Sequence, residues 1–343
     1  MKAIIIADLH AHLYKEFAKS DPYLVNSRLR NLDDLLIWLK NKCEENNIYN
    51  FIIAGDVFHS RSSVPSPVLS TVFESLSSFK SINVYMIPGN HDQWDYNFTS
   101  LDTFSSIAYV YKSFVIKEIE GTTVAFLPYR ENEQEWMQQI YPEVDLVIAH
   151  LGISGANVGN HLYQDSYLTT DILQKSFPNA QMLFGHFHIH QHLTENISYI
   201  GAVIQHSFSD ASFTPYFAVY DEGNIEYIEN DISPRFIKID LTEDNITELK
   251  LDFNNYYWIS SDIPDKLLRK ELENMGLDIS HFRLQQKHKK SQVVKRALDD
   301  QKMGYEDMIR KYVVENNNQL PVTEEVIDYG IKTLNKVKER NDI

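Results

Sequence analysis

A layered α/β fold, with α and β segments partly segregated along the chain (α+β), is predicted for this 343-residue sequence. Three observations predict it. Short β-branched apolar runs at Lys2 to Ala7, Asn50 to Ala54 and Val84 to Ile87 are separated by helical patterns. That is the β-α-β-α-β rhythm of parallel strands with crossover helices. A second series of strand-like runs begins near Ser113, and the texture changes again near Ser233-Pro234.

Lys2-Ala3-Ile4-Ile5-Ile6-Ala7 reads as a central strand and ends in Asp8-Leu9-His10. Between Arg28 and Lys40, Leu29, Leu32, Leu35, Leu36 and Leu39 recur at helical spacing. Asn50 to Ala54 is the next buried strand, ending in Gly55-Asp56-Val57-Phe58-His59. Pro65 and Pro67 open a helix towards Phe79, since proline is tolerated in a first turn. Val84 to Ile87 leads into Pro88-Gly89-Asn90-His91-Asp92, where the glycine is expected to allow a sharp turn. Ser113 to Ile119 and Thr122 to Leu127, joined at Glu120-Gly121, read as a hairpin, and Glu133 to Ile140 as a helix. Asp145 to Ala149 is a buried strand ending at His150, and a glycine-rich loop follows from Gly152 to Gly159. Gln181 to Phe184 ends in Gly185-His186-Phe187-His188. Ile197 to Ile200, Tyr216 to Tyr220 and Asn224 to Glu229 alternate as antiparallel strands do. Phe236 to Leu241 and Tyr256 to Ser260 are strand-like, and from Pro264 the pattern becomes helical and charged. The expected division is therefore 1–233, 234–300 and 301–343.

A hydrophobic share of 43%, with 20 Tyr and 18 Phe, excludes a disordered chain. The single cysteine, Cys43, excludes an internal disulfide framework and fits a reducing compartment. The apolar run Ala3 to Ala7 is too short for a secretory signal, and Asp8 interrupts it. No run approaches the roughly 18 residues of a membrane span, so a cytoplasmic protein without membrane association is expected. A net charge of −16 weighs against broad electrostatic binding to nucleic acid, yet acidic residues are what a cation site needs. The stretch Arg283 to Arg296 reverses the sign locally: Arg283, Lys287, Lys289, Lys290, Lys295 and Arg296 stand there without an acidic residue. It is either a solvated helix face or a set of DNA phosphate contacts.

Collected at the strand ends are Asp8, His10, Asp56, His59, Asn90, His91, His150, His186 and His188. None is the Ser, Cys or Thr of a covalent nucleophile. Imidazole nitrogen with carboxylate oxygen suits Mn²⁺, Fe²⁺ or Zn²⁺ better than Ca²⁺ or Mg²⁺. In Asp8-x-His10 and His186-x-His188 the paired side chains face the same way if the backbone is extended, as a chelate requires. Seven ligand types (Asp8, His10, Asp56, Asn90, His150, His186, His188) exceed one ion and suit two, with Asp56 the natural bridge. Two ions roughly 3.5–4 Å apart hold a hydroxide between them and clamp a phosphoryl oxygen, the arrangement of phosphate-ester hydrolysis. Taken singly, Asp8 or Asp56 would cap a helix, Asn90 would make a turn, and His10 or His150 would be structural. It is their recurrence at separate strand ends that points to a site. His12, His161, His190, His192, His206, His281 and His288 are assigned ordinary structural roles.

Asp8-x-His10, Gly55-Asp56-x-x-His59, Gly89-Asn90-His91-Asp92, His150 and Gly185-His186-x-His188 follow in this order over roughly residues 1 to 230. The set resembles the calcineurin-like metallophosphoesterases. Phe58-His59, the chain's size and its short added C-terminal region are similar to the SbcD-type double-strand-break repair nucleases and the related phage recombination exonuclease subunit. The first motif departs from that subfamily, continuing Ala11-His12-Leu13 where Leu-Gly is usual. The resemblance implies a two-sheet metallophosphoesterase sandwich flanked by helices, with a small C-terminal capping domain and a helical tail. It implies that Asp8, His10, Asp56 and His188 hold one metal and that Asp56, Asn90, His150 and His186 hold the other, with Mn²⁺ the expected ion. It gives His91 the scissile phosphate and the leaving-group proton, with His59 beside it; Asp92 would orient His91 or cap a helix.

The function implied is a two-metal DNA nuclease, exonuclease or endonuclease, in recombination and repair. The alternatives are a phosphodiesterase or phosphatase for a small molecule or phosphoprotein, and a non-catalytic scaffold that the intact ligand set disfavours. The partners implied are DNA, an SMC-like ATPase subunit of SbcC type and a second copy of the chain, in the cytoplasm of a bacterium or phage-infected host. Phe236 to Ser261 stands where such nucleases carry the capping domain. Tyr305 to Val313 and Glu324 to Val337 are amphipathic segments suited either to the ATPase or to packing on their own domain.

Overall fold

The first apolar run forms β1 (Lys2–Ile6), and its two faces bury different neighbours. Ile4 and Ile6 pack with helical residues, whereas Ala3 and Ile5 pack with residues of a second sheet. Burial on both faces is why the run is continuously apolar rather than alternating. The structure, a computed structural model, describes residues 1–61, 63–130, 139–159, 162–241, 251–286, 327–329 and 331–332. The chain clusters into two units, Met1–Gln286 and Lys287–Ile343.

Helix α1 (Ser27–Glu45) is started by Asn26, whose side chain accepts the Leu29 N–H at 3.0 Å. Its Leu29, Leu32, Leu35, Leu36 and Leu39 join the cluster of Ile4 and Ile6. Strand β2 (Asn50–Ala54), helix α2 (Ser66–Ser77), β3 (Asn83–Ile87) and β4 (Tyr109–Val110) extend a parallel sheet from β1. The hairpin β5 (Val115–Ile119) and β6 (Thr122–Leu127) opens a second sheet. That sheet continues through β7 (Leu146–His150), helix α3 (Thr170–Ser176), β8 (Gln181–Gly185), β9 (Gln191–His192) and β10 (Ile197–Tyr199). The chain then returns to the first sheet as β11 (Tyr216–Asp221) and β12 (Asn224–Glu229), antiparallel to their neighbours. Strand orders are β12-β11-β1-β2-β3-β4 and β9-β10-β8-β7-β6-β5.

Between the sheets lie Ile5, Ile52, Ile87, Phe126, Ile148 and Leu183. On the outer face of the second sheet, Val147, Ala149, Met182 and Phe184 pack with Leu173 of α3 and Phe177. The result is the expected mixed α/β sandwich of two sheets flanked by helices. A third, parallel sheet, β13 (Phe236–Leu241), β14 (Tyr256–Ser261) and β15 (Phe282–Gln286), is covered by helix α4 (Asp265–Asn274). Phe236 and Tyr256 of this sheet pack on Phe208 and Phe17.

Three local readings are corrected. Strand β10 runs parallel to β8, not antiparallel, because β10 enters the sheet beside β8 after the short β9 excursion. Residues 282–286 form a strand inside the region read as helical, since Phe282 and Leu284 bury against β14 and α4. The glycine-rich loop ends in a two-stranded ribbon, Asn157–Gly159 with Leu162–Tyr163. Residues 133–138 of one expected helix lie outside the described residues. So does the expected tail helix 305–313, and so does all of 324–337 except the helical positions Ile327, Asp328, Tyr329, Ile331 and Lys332. Among the described residues no helix is long and apolar enough to cross a membrane.

Candidate metal centre

The ligand types stand at the carboxyl ends of β1, β2, β3, β7 and β8, where α/β sheets commonly bind ligands: His150 is the last residue of β7, and the others lie on the loops that follow their strands. Pairing of β1 with β2 carries on past the sheet: the N–H groups of Asp8, His10 and Ala11 donate to the carbonyls of Gly55, Asp56 and Val57 at 3.1, 2.9 and 2.7 Å. Asp8, His10, Asp56 and His186 nevertheless take positive φ values of 54°, 42°, 51° and 101°. Such conformations cost non-glycine residues about 1–3 kcal/mol each and gather at functional sites. The expected sharp turn at Gly89 is not the reason for its glycine, which has no positive φ. A Cβ there would stand 2.1 Å from Asp56 Oδ1. Close approach of the second motif requires it; at Gly55, whose φ is 89°, an added Cβ would likewise stand 2.2 Å from His150 Nδ1.

The structure brings all seven expected ligand residues together. Asp56 Oδ2 lies 3.5 Å from His10 Nε2 and 3.4 Å from His150 Nε2, while its Oδ1 accepts the His91 N–H at 2.8 Å. On one side, Asp8, His10 and His188 hold ligand atoms within 4.8 Å of one another, with His188 Nε2 only 3.1 Å from His10 Nε2. On the other, Asn90 Oδ1 lies 3.2 Å from His150 Nε2 and 3.0 Å from His186 Nδ1. Ligand atoms of His10, Asp56 and His91 also cluster within 4.8 Å.

These atoms fit divalent cations. His150 donates its Nδ1–H to the Ala54 carbonyl at 2.8 Å, so it is Nε2 that, once deprotonated, presents a lone pair to the Asp56 and Asn90 oxygens. Acceptors facing acceptors in a buried cluster need a cation or a proton between them. The titration shifts agree. Burial, aided by Asp56, pushes the Asp8 carboxyl up to about 6. Burial would lower His150, but attraction to Asp56 overrides it and raises His150 to about 9. Burial opposes ionisation of Asp56 as well, and His150 nonetheless holds it below the ordinary carboxylate range. Burial and then His150 lower His186 to about 3, and burial lowers His10, so both imidazoles keep free lone pairs.

His91 lies at the cleft with its ring 5.8 Å from that of His59 and nearly parallel to it, at 18°. Its Nδ1–H donates to the His59 carbonyl at 2.7 Å. Asp92 neither orients the His91 ring nor caps a helix. It is buried, and its carboxylate accepts the N–H groups of Val57, Phe58 and Gly89 at 3.2, 2.9 and 3.0 Å. Burial and then Asp56 push that carboxyl up to about 7.

Sequence reasoning missed two residues. His206, given a structural role, is half-buried with its Nε2 3.4 Å from the Asp8 carbonyl and its ring 5.5 Å from that of His10. Asp210 lies 3.5 Å from His188 Nδ1 and accepts the N–H groups of His206 and Ser207. Neither follows a strand or a glycine motif, so only chain folding reveals them. Of the remaining histidines, His12 packs its ring on His59, His190 and His192 pack on Tyr227, and His281 packs on Tyr256. Among the expected DNA contacts, Arg283 pairs with Glu16 and lies over Trp258 at 5.2 Å. Lys287, Lys289, Lys290, Lys295 and Arg296 lie outside the described residues, as do His161 and His288.

A curated viral protein named "Putative phosphoesterase 244L", from Invertebrate iridescent virus 6, is 24% identical over 233 residues, 62% of this chain and 74% of its own. Solved structures with a similar fold include a dimetal phosphatase from Danio rerio, with 14% identity, a TM-score of 0.40, and 67% and 95% of the two chains covered. Nuclease MPE from Pseudomonas putida gives 15%, 0.31, and 66% and 87%. At TM-scores below 0.5 these likenesses carry no argument about this chain. The family described as Calcineurin-like phosphoesterase matches residues 1–190. That span is more than half of the sequence and includes every strand end described above, and the chain belongs to this family of phosphoesterases.

Proposed function

We propose that the chain is a two-metal nuclease that hydrolyses phosphodiester bonds in DNA during recombination or repair, together with an SMC-like ATPase and as a homodimer. The observation that carries the reading is one carboxylate oxygen, Asp56 Oδ2, standing between two donor groups, with His91 beside them in the same cleft. The cleft holds about 390 Å³ and is lined in part by His10, Asn90, His186 and His188. Two divalent ions bound there, with Mn²⁺ the expected metal, would neutralise and polarise the phosphoryl group. The chain's own residues supply the rest. The Nδ1–H bond to the His59 carbonyl fixes the His91 ring and leaves Nε2 which, when the ring is imidazolium, passes its proton to the leaving oxygen and leaves the ring neutral. The His59 ring braces His91 from one side.

Support for DNA comes from the SbcD-like motif set with Phe58-His59 and from the basic stretch Arg283 to Arg296. A small-molecule or phosphoprotein substrate is the second reading, favoured by the net charge of −16, which repels a polyanion. Mn²⁺-dependent release of nucleotides from linear duplex DNA, measured beside hydrolysis of bis-p-nitrophenyl phosphate, separates the two. Release from DNA supports the nuclease. Hydrolysis of the diester alone, even with an ATPase partner present, supports the second reading.

A further inference from the structure

We infer that a nucleobase flanking the scissile phosphate stacks on Trp94, in a second cleft beside the metal centre. The inference rests on the nuclease reading above and names a part of its substrate site. Asn90 lines both clefts. The second holds about 270 Å³, with Trp94, Tyr96, Tyr129 and Arg61 on its walls. Tyr129, on the wall of the second cleft, has its ring 6.0 Å from that of His186, which lines the first, and 6.4 Å from that of His150.

Trp94 is 71% exposed, Phe98 65% and Tyr96 49%, a concentration of open aromatic surface within five residues. Such a patch beside a reaction centre is characteristic of a ligand surface. The segment bearing it is braced. The Trp94 N–H donates to the Phe98 carbonyl at 3.0 Å, and the Asp95 carboxylate accepts the N–H groups of Asn97 and Phe98. Buried Gln93 donates to the Pro88 and Tyr129 carbonyls and accepts from Arg130, whose guanidinium lies 4.7 Å over the Tyr96 ring. Trp94 is thus held at a set place relative to Asn90, four residues before it in the same turn. An indole face takes any base, because stacking uses the π-face rather than its hydrogen-bonding edge, and Arg61 adds a cation for a neighbouring phosphate.

The test uses the full chain with Mn²⁺ and a fluorescein-labelled, phosphorothioate-linked tetrathymidine strand, followed by anisotropy. Trp94→Ala is expected to weaken binding about tenfold. Trp94→Phe should keep most of the affinity, and an abasic strand of the same length should bind wild type and Trp94→Ala alike. Equal affinity of wild type and Trp94→Ala for the base-bearing strand overturns the subsite, as does failure of wild type to bind it. An unmodified strand that binds in a Trp94-dependent way yet stays uncut overturns the nuclease reading instead and leaves the subsite standing.

Discussion

His91 and Asp56 touch through one backbone bond, yet their expected roles separate cleanly. The His91 N–H donates to Asp56 Oδ1, while the His91 ring is anchored on the His59 carbonyl. His91→Gln is therefore expected to lower turnover by about 10²-fold or more with metal content unchanged, a loss typical of a missing general acid. Asp56→Ala should lose metal, because both donor groups use Oδ2. Equal loss of metal in the two variants, read by elemental analysis, would refute this division. Asp92 belongs to stability rather than to proton transfer. Asp92→Ala strands three buried N–H groups, at a cost of about 3 kcal/mol in urea unfolding. Its residue type and motif place were legible in the sequence. Its partners, more than thirty positions upstream in two of three cases, were not.

At the scale of elements, the carboxyl ends of β1, β2, β3, β7 and β8 converge because the two sheets face each other and their parallel strands point the same way. Gly89→Ala tests that packing. The new Cβ meets Asp56, so the variant is expected to fold but to bind metal at least tenfold more weakly, a difference isothermal titration would detect. The same cluster sets the pH dependence of binding. In the free protein, burial keeps a proton on Asp8 up to about 6, and Asp56, overcoming burial, keeps one on His150 up to about 9. A metal needs Asp8 ionised and the His150 ring neutral, so loading releases protons and affinity rises with pH from about 5 to 9. Calorimetric titration with Mn²⁺ at pH 6 and pH 8, in buffers of different ionisation enthalpy, checks both claims. An affinity independent of pH would contradict them.

For the whole molecule, the sandwich and the third sheet lie within Met1–Gln286, and Lys287–Ile343 forms a separate unit. On the proposal that this unit carries the ATPase contact, deleting residues 305–343 should abolish co-purification with the ATPase and spare hydrolysis of bis-p-nitrophenyl phosphate. Unchanged co-purification would refute it.

The sequence by itself determined the two series of strands and the residues at their ends. Both are local: periodicity and residue type over four to eight positions suffice for a buried strand that stops at Asp, Asn or His. It also determined α1 and α2, whose apolar spacing and proline start are equally local. Only the tertiary structure decided what those ends do together. His186 N–H reaches the Asp8 carboxylate, and His206 reaches the Asp8 carbonyl, across separations of 178 and 198 residues. Gly89 is needed for a neighbour's side chain rather than its own turn, and residues 282–286 become a strand because β14 offers an edge. Contacts between distant segments leave no periodic trace in either segment, so the metal centre could be listed from the chain but assembled only by its fold.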